Sequence, residues 1–162
     1  MTVGIREAKP DDLDFLVSML LEAMNWNGEQ PATASSIRHD PKSWHYLDGW
    51  KHESDFGVIA TGDDGAPIGA AWARFLQRDD PGYGFVEESI PEITIGVTPL
   101  RRGGGVGGLL IGTLIRFARE HAFPGLSLSV EDHNDRARSL YEAHGFQVVG
   151  RVGNSDTMLV RF

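Results

Sequence analysis

The sequence predicts an α/β protein in which a mixed sheet carries helices on its faces. Residues 10–24 and 105–121 place apolar side chains at helical spacing, whereas residues 92–97 form a strand-like run. The dipeptide Asp64-Gly65 lies between two further strand-like runs and is typical of a hairpin turn. The predicted order is β-α-(irregular α)-β-β-β-α-β-α-β-β, which differs from the regular alternation of a doubly wound parallel sheet.

The first half of the chain predicts one strand, one long helix and a hairpin. Residues 3–6 form the strand, and Pro10 with two aspartates begins the helix. The apolar positions of that helix are Leu13, Leu16, Val17, Leu20, Leu21 and Met24. Residues 25–53 are irregular, and we expect loops with one or two short helices there. The hairpin strands cover residues 55–61 and 67–75.

The second half predicts two helices among four strands. The first of these strands leads through a glycine-rich turn into the second long helix. The residues expected on the buried side of that helix are Val106, Leu109, Leu110, Leu114, Phe117 and Ala118. After a strand at residues 126–130, Asn134 begins another helix, which ends at Gly145. The last two strands are residues 146–152 and 156–162.

The composition fits one domain spanning residues 1–162 and narrows the functional classes. Apolar residues make up 41% of the chain, enough for a real core. The formal net charge of −8 argues against a broad nucleic-acid surface. That charge suits a cationic small substrate such as an amine, and solubility explains it equally well. Because the chain has no cysteine, it has no disulfide framework, catalytic thiol or cysteine-ligated metal.

Nothing in the sequence predicts a membrane segment or a metal site. The first residues lack the basic-then-apolar form of a signal peptide. No apolar run reaches the ~20 residues that span a bilayer, so we expect a cytoplasmic location. The six histidines show no metal-ligand spacing, and no metal is expected.

The most informative segment is a turn, residues 103–108, in which five of the six residues are glycine. Without side chains, the backbone N–H groups of this turn can approach a ligand closely. The helix that follows carries partial positive charge at its N-terminus, which favours an anion. The turn therefore predicts a binding site for a pyrophosphate group.

Other interpretations of the turn fit less well. Gly103, Gly105 and Gly108 also match a dinucleotide-binding fingerprint, and Glu131 stands where an acidic ribose contact belongs. However, residues 98–102 separate the glycines from the preceding strand, and too little chain follows for a doubly wound sheet. A nucleoside-triphosphate loop would need Gly-Lys-Ser or Gly-Lys-Thr, which is missing. A purely structural turn would lose much conformational entropy on folding.

Two motifs resemble those of the GNAT superfamily of N-acyltransferases. The pattern VxPxxRGxGVG at residues 97–107 looks like the acyl-CoA-binding motif of that superfamily. The pattern NxxAxxLYxxxGF at residues 134–146 is similar to its second motif. Their order and spacing make the pair highly specific, and the resemblance covers residues 92–149 closely.

The resemblance implies a mostly antiparallel sheet with one splayed parallel strand pair and helices on both faces. It also implies acetyl-CoA as co-substrate, with the pantetheine arm between the splayed strands and paired to the backbone of residues 95–98. Backbone N–H groups of residues 102–108 would hold the pyrophosphate. The cofactor-binding residues implied in this way are Ile95, Val97, Thr98, Arg102, Gly103, Gly104, Gly105, Val106, Gly107, Gly108, Asn134 and Tyr141.

The same resemblance gives Tyr141 the role of proton donor to the departing CoA thiolate. A free alkylamine is mostly protonated at neutral pH, so some group must take its proton. Glu92 is the first candidate for this general base, Glu87 and Glu88 are alternatives, and a water relay is a further one. Gly96 either marks a bulge that turns an N–H toward the thioester carbonyl or packs closely against a helix.

Together, these implications predict an enzyme that moves an acetyl group from acetyl-CoA to a primary amine by direct attack in a ternary complex. The alternative is a non-catalytic acyl-CoA-binding or regulatory domain of the same fold. Nucleic-acid and membrane partners are not expected, and exposed edge strands near the C-terminal end would permit a homodimer.

We expect a small-molecule or peptide acceptor to contact three loop regions, residues 25–53, 77–89 and 153–156. The aromatic side chains available there for an amine are Trp26, Trp44, Tyr46 and Trp50. Because core packing is the commoner use of tryptophan, we expect at least two of the three tryptophans to pack in the core instead.

Overall fold

Seven strands and five α-helices are present in the part of the chain that the computed structural model describes, residues 2–28 and 32–162. The strands are Gly4–Glu7 (β1), Phe56–Thr61 (β2), Pro67–Arg74 (β3), Glu92–Val97 (β4), Gly125–Glu131 (β5), Gln147–Val152 (β6) and Ser155–Arg161 (β7). The helices are Leu13–Met24 (α1), Ala34–His39 (α2), Pro41–Trp44 (α3), Val106–Glu120 (α4) and Asp135–Ala143 (α5). Met1 lies outside the described residues. Residues 29–31, which belong to the predicted irregular segment, also lie outside them. No helix among the described residues has the length and apolarity needed to cross a membrane.

The strands form one mixed sheet in the order β1-β2-β3-β4-β5-β7-β6. Neighbouring strands are antiparallel except for β4 and β5, which run parallel because α4 crosses over between them. These two strands pair only at Glu92 and Ser127 and then separate. The predicted fold class and its splayed parallel strand pair are therefore confirmed, and the sheet opens beyond Glu92.

Each face of the sheet has its own apolar core. Alternate residues of β3 supply the two cores, because successive side chains of a strand point to opposite faces. Ala71 and Ala73 belong to the core beneath α4, which also contains Tyr141 of α5. Ala70 and Trp72 belong to the core beneath α1. The short side chains of Gly69 and Ala71 let α4 approach the strand closely.

The buried side of α4 differs from the predicted one. Its buried residues are Val106, Leu110, Ile111, Leu114 and Ala118. Leu109, predicted to be buried, is 39% exposed, and Phe117 is only half-buried. Since each helical residue turns the chain by ~100°, Leu109 lies roughly 140° from the centre of the buried stripe. The prediction for Leu109 was wrong because an apolar pattern indicates the period of a helix more firmly than the direction in which it faces.

Predicted signals at the ends of elements are confirmed. The Oδ1 atom of Asn134 accepts a hydrogen bond from the Ala137 amide at 3.4 Å and caps α5. Gly145 follows that helix with a φ of +92°, and Gly65 has a φ of +79° in the hairpin turn between β2 and β3. These signals act between near neighbours in the chain, so the sequence alone reveals them.

Candidate active site

A cleft of about 1100 Å³ lies between the splayed strands β4 and β5. One wall follows β4 along residues 93–97, and the other follows β5 along residues 128–131. The glycine turn and the start of α4 close one end, while Asn134 and Tyr141 of α5 line the side. The structure therefore brings the two predicted motifs to a single cavity.

The glycine turn presents unpaired amides to this cleft. Gly103 and Gly105 have φ values of +81° and +85°, which residues other than glycine rarely adopt. Among the described residues, the N–H groups of residues 103–108 donate to no protein acceptor, and Leu109 is the first amide of α4 to do so, to Gly105 O at 3.1 Å. Free amides at the start of a 15-residue helix attract anions.

Arg102 differs from the glycines that follow it. Its amide donates to Pro99 O at 3.4 Å, so the row of free amides begins at Gly103 rather than at Arg102. Its guanidinium forms an ion pair with Glu22 of α1, with 2.5 Å between Nη2 and Oε2. This pair ties the turn to α1 on one wall of the cleft.

Tyr141 lies on the inner face of α5, one side of the cleft. Its side chain is buried, and its ring packs edge-on against Phe146 with 6.1 Å between centroids. Burial raises the pKa of the Tyr141 hydroxyl to about 12, because the ionised phenolate would lose its hydration. The hydroxyl therefore keeps its proton at neutral pH.

Glu92 lies at the point where β4 and β5 part and lines the same cleft. It is only 4% exposed, and its Oε2 atom accepts a hydrogen bond of 2.7 Å from the Tyr46 hydroxyl. Burial raises the pKa of Glu92 to about 7, although the Tyr46 hydroxyl and the Gly84 amide favour the ionised form. Glu92 therefore exchanges a proton in the neutral range, as a general base should.

The two alternative carboxylates are directed elsewhere. Glu87 accepts a hydrogen bond from the Ser89 hydroxyl at 2.7 Å, and Glu88 accepts one from the Arg78 amide at 3.0 Å. Neither lines the cleft. Of the three candidate bases, the structure brings only Glu92 to the splayed strands.

Two of the four singled-out aromatic residues reach the cleft. Trp26 and Tyr46 line it, and the indole N–H of Trp26 donates to the Glu131 carboxylate at the end of β5. Trp50 is buried in the core beneath α1, and Trp44 packs against that core with the Arg38 guanidinium over its ring. The expectation that at least two tryptophans serve the core is confirmed.

Two glycines near the site permit close approaches. A Cβ atom on Gly96 would lie 2.5 Å from Met19 O of α1, and the register of β3 and β4 runs through Gly96 without a shift. Close packing against a helix, one of the two expectations for Gly96, is therefore what the structure shows. A Cβ on Gly82 would lie 2.1 Å from Glu92 Oε1 and 2.6 Å from the Tyr46 hydroxyl. Sequence reasoning missed Gly82 because Pro-Gly reads as an ordinary turn.

A buried ion pair fixes the loop that carries Tyr46. The Arg74 guanidinium at the end of β3 contacts both carboxylate oxygens of Asp55, at 2.6 and 3.1 Å. Its remaining nitrogen donates to the carbonyl oxygens of His45 and Asp48, at 3.2 and 2.7 Å. Both charged side chains are at most 5% exposed, so each depends on the other for compensation.

We expect Asp55→Ala to lower the free energy of unfolding by about 3–5 kcal/mol, because it leaves the buried Arg74 charge unpaired. Urea denaturation measures this loss. The matched control is Asp14→Ala, which removes a carboxylate that is 99% exposed and lies 3.5 Å from Arg38. The control should change the unfolding free energy by less than about 1 kcal/mol. Equal losses in the two variants would contradict the anchoring role of the Asp55–Arg74 pair.

Solved structures with the same fold include acetyltransferases. The GCN5-related N-acetyltransferase from Kribbella flavida aligns with a TM-score of 0.73 and 19% identity, covering 99% of this chain and 98% of that chain. The phosphinothricin acetyltransferase from Sinorhizobium meliloti, solved in complex with AcCoA, aligns with a TM-score of 0.72 and 21% identity, covering 100% of this chain and 89% of that chain. At these identities the likeness concerns the fold alone.

Sequence comparison identifies the family. Residues 20–146 match the model of the acetyltransferase (GNAT) family, and the chain belongs to that family. The N-alpha-acetyltransferase RimI of Mycobacterium tuberculosis is 39% identical over 147 residues, which cover 87% of this chain and 81% of that protein. The mycothiol acetyltransferase of Jonesia denitrificans is 28% identical over 144 residues, 88% of this chain. The chain spans less than half the length of the mycothiol acetyltransferases that it matches, 42% in this case.

Proposed function

We propose that this protein transfers an acetyl group from acetyl-CoA to a primary amine by direct attack in a ternary complex. The observation that carries the proposal is the row of free amides at residues 103–108, which opens into the gap between β4 and β5. A tightly turned row of N–H groups at a helix N-terminus suits a diphosphate. Membership of the GNAT family and the AcCoA complex of the Sinorhizobium meliloti relative support the same ligand.

The residues of the cleft fit coenzyme A along its length. Amides of residues 103–108 would hold the diphosphate, and the free edge of β4 at residues 95–97 would pair with the amides of the pantetheine arm, whereas the Thr98 amide donates to Ile68 O at 2.9 Å. Asn134 would add a contact from the start of α5. Bound acetyl-CoA supplies the activated acyl thioester, and the protein provides the groups that move protons.

Glu92 would accept a proton from the incoming amine. With a pKa of about 7, roughly half of its carboxyl groups are ionised at neutral pH. Tyr141 would deliver a proton to the departing sulfur, since it lines the cleft and its hydroxyl is protonated at neutral pH. An acid and a base in one cleft favour catalysis over a purely ligand-binding role.

The α-amino group of a peptide or protein N-terminus is the first acceptor to test. The relative that supports this choice is the N-alpha-acetyltransferase RimI, because the match covers 81% of its length at 39% identity. The half-exposed ring of Tyr83 and the Trp26 side chain line the acceptor side of the cleft. Lysine, polyamines and other small amines are the competing acceptors.

Thiol release from acetyl-CoA tests the proposal directly. The assay would compare a peptide that has a free N-terminus with the same peptide N-acetylated beforehand, and would include lysine and spermidine. We expect release above background hydrolysis only with a free amine. If acetyl-CoA raises the melting temperature but no amine supports release, the protein is the non-catalytic acyl-CoA-binding domain.

We expect Tyr141→Phe to lower kcat by roughly 10- to 100-fold, because the substitution removes the proton donor and keeps the buried ring. The KM for acetyl-CoA should change by less than about twofold, since the hydroxyl acts on the leaving group rather than on binding. Steady-state kinetics with a responsive peptide measure both constants. An unchanged kcat would reduce Tyr141 to a core aromatic residue.

A further inference from the structure

Tyr46 joins two parts of the site that are far apart in the chain. Its hydroxyl donates to Glu92 Oε2 at 2.7 Å and accepts from the Tyr83 amide at 3.0 Å. We infer that Tyr46 is the positioning residue of the general base: its hydroxyl holds Oε2 of Glu92 and so fixes the carboxylate that takes the proton of the amine. This inference rests on the proposed function, in which Glu92 is the base.

The hydrogen bonds around the Glu92 carboxylate separate the base from the residue that positions it. Oε2 accepts a hydrogen bond from the Tyr46 hydroxyl at 2.7 Å, and the Gly84 amide also favours the ionised carboxylate. The Tyr46 hydroxyl has its donor and an acceptor position in use, so it is unsuited to take the proton itself. The Glu92 carboxylate, rather than the Tyr46 hydroxyl, therefore takes the proton.

Tyr46 is held by the sheet and not only by its own loop. Its carbonyl oxygen accepts a hydrogen bond from the Trp72 indole at 3.0 Å, and the preceding carbonyl, that of His45, accepts one from Arg74. Trp72 and Arg74 are residues of β3, and Arg74 pairs in register with Glu92 on β4. The same pair of strands thus fixes both the base and its hydrogen-bond donor.

The ionisable groups around this pair belong to β3 and to the neighbouring loops. Arg74 of β3 is compensated by Asp55, and the His45 ring meets the Tyr46 ring edge-on with 4.5 Å between centroids. From β5, the register partner of Glu92 is Ser127, which carries no charge. Tyr46 is the side chain that donates a hydrogen bond to the carboxylate, so its loss should change the protonation of Glu92.

The decisive variant is Tyr46→Phe, which removes only the hydroxyl. A hydrogen bond to a carboxylate favours the ionised form, so we expect the pKa of Glu92 to rise by about one unit above its value in the wild type. The rise of kcat/KM with pH should move upward by the same amount, and kcat/KM near neutral pH should fall roughly fivefold. Kinetics give the profile, and ¹³C NMR titration of the Glu92 carboxyl gives its pKa without any need for turnover.

Thr157→Val is the matched control. The Thr157 hydroxyl donates to Tyr83 O at 3.0 Å, so it anchors the loop whose Tyr83 amide contacts Tyr46, but it makes no hydrogen bond with Glu92. It should leave the Glu92 titration where the wild type has it. Gly82→Ala is a second test, since its Cβ would push against both Glu92 Oε1 and the Tyr46 hydroxyl, and it should also displace the titration. An unchanged titration in Tyr46→Phe, or an equal displacement in Thr157→Val, would overturn the inference.

The activity of Glu92→Gln, compared with that of Tyr46→Phe, separates this inference from the proposed function. If Glu92→Gln stays fully active, Glu92 is not the base and the proposed function fails on that point. If Glu92→Gln is inactive and Tyr46→Phe behaves as the wild type, the base is correct and the positioning role of Tyr46 is wrong.

Discussion

Glu92→Gln is expected to lower kcat/KM by roughly 10²- to 10⁴-fold, the range that general-base catalysis contributes. The substitution keeps the size of the side chain and removes its ability to accept the amine proton. In the wild type, kcat/KM should rise with pH through about 7, where Glu92 ionises. The variant should lose this rise, and a pH series of thiol-release rates measures both effects.

The controls for this prediction use the same chemical change elsewhere. Glu120→Gln alters an exposed carboxylate at the end of α4 and should leave kcat/KM unchanged. Glu87→Gln and Glu88→Gln test the alternative bases that lie outside the cleft. A large loss in either of these variants, together with an active Glu92→Gln, would contradict the assignment of the base.

The stability of the protein offers an independent check on Glu92. Its pKa in the folded state, about 7, is above the ordinary value of 4.5, so folding favours the protonated carboxyl. The stability that this group contributes is present below about pH 4.5 and is lost as the pH rises through about 7. Relative to Glu92→Gln, the wild type should therefore lose up to about 3 kcal/mol of unfolding free energy over that range. A pH-independent difference in urea denaturation would contradict the raised pKa.

Gly105→Asp is expected to weaken binding of acetyl-CoA by roughly 100- to 1000-fold. A Cβ at Gly105 meets no atom within 4 Å, so the carboxylate would project freely beside the amides that face the diphosphate. A like charge at about 4–5 Å costs on the order of 3–4 kcal/mol at the effective dielectric constant of a protein surface. Calorimetric titration, or the rise in melting temperature with acetyl-CoA, measures the loss.

Gly105→Asn is the matched control, since asparagine has the shape of aspartate and both tolerate the φ of +85° better than other side chains. It should retain much more affinity than Gly105→Asp, and the difference isolates the charge. A side chain at Gly107 would also press against α5, because a Cβ there would lie 3.1 Å from Leu140. Equal affinities of Gly105→Asp and the wild type for acetyl-CoA would show that this turn does not bind the diphosphate. A rise in melting temperature with NAD, and none with acetyl-CoA, would identify the turn as a dinucleotide site instead.

Much of the site was predictable because its signals are local. The glycine turn, the Asn134 cap and the position of Tyr141 two turns later in α5 depend on residues within a few positions of one another. Their roles follow from backbone conformation and helix geometry, which short stretches of sequence determine. The placement of Glu92 at the start of β4 was predictable for the same reason.

The environment of Glu92 was not predictable. Its hydrogen bond with Tyr46 joins residues 46 positions apart, and the room for that contact depends on Gly82 in a third segment. The facing direction of α4 was likewise decided by packing, which buried Ile111 and exposed Leu109.

The sequence by itself determined the family motifs, the order of strands and helices and the turn with free amides, because each depends on contacts between near neighbours. Only the tertiary structure decided that Glu92 is buried, that Tyr46 donates to it and that its pKa lies near 7. Burial and hydrogen bonding at that site are set by β3, β4 and two loops together. The proton-transfer properties of a carboxylate follow from its surroundings, and those surroundings exist only once the chain has folded.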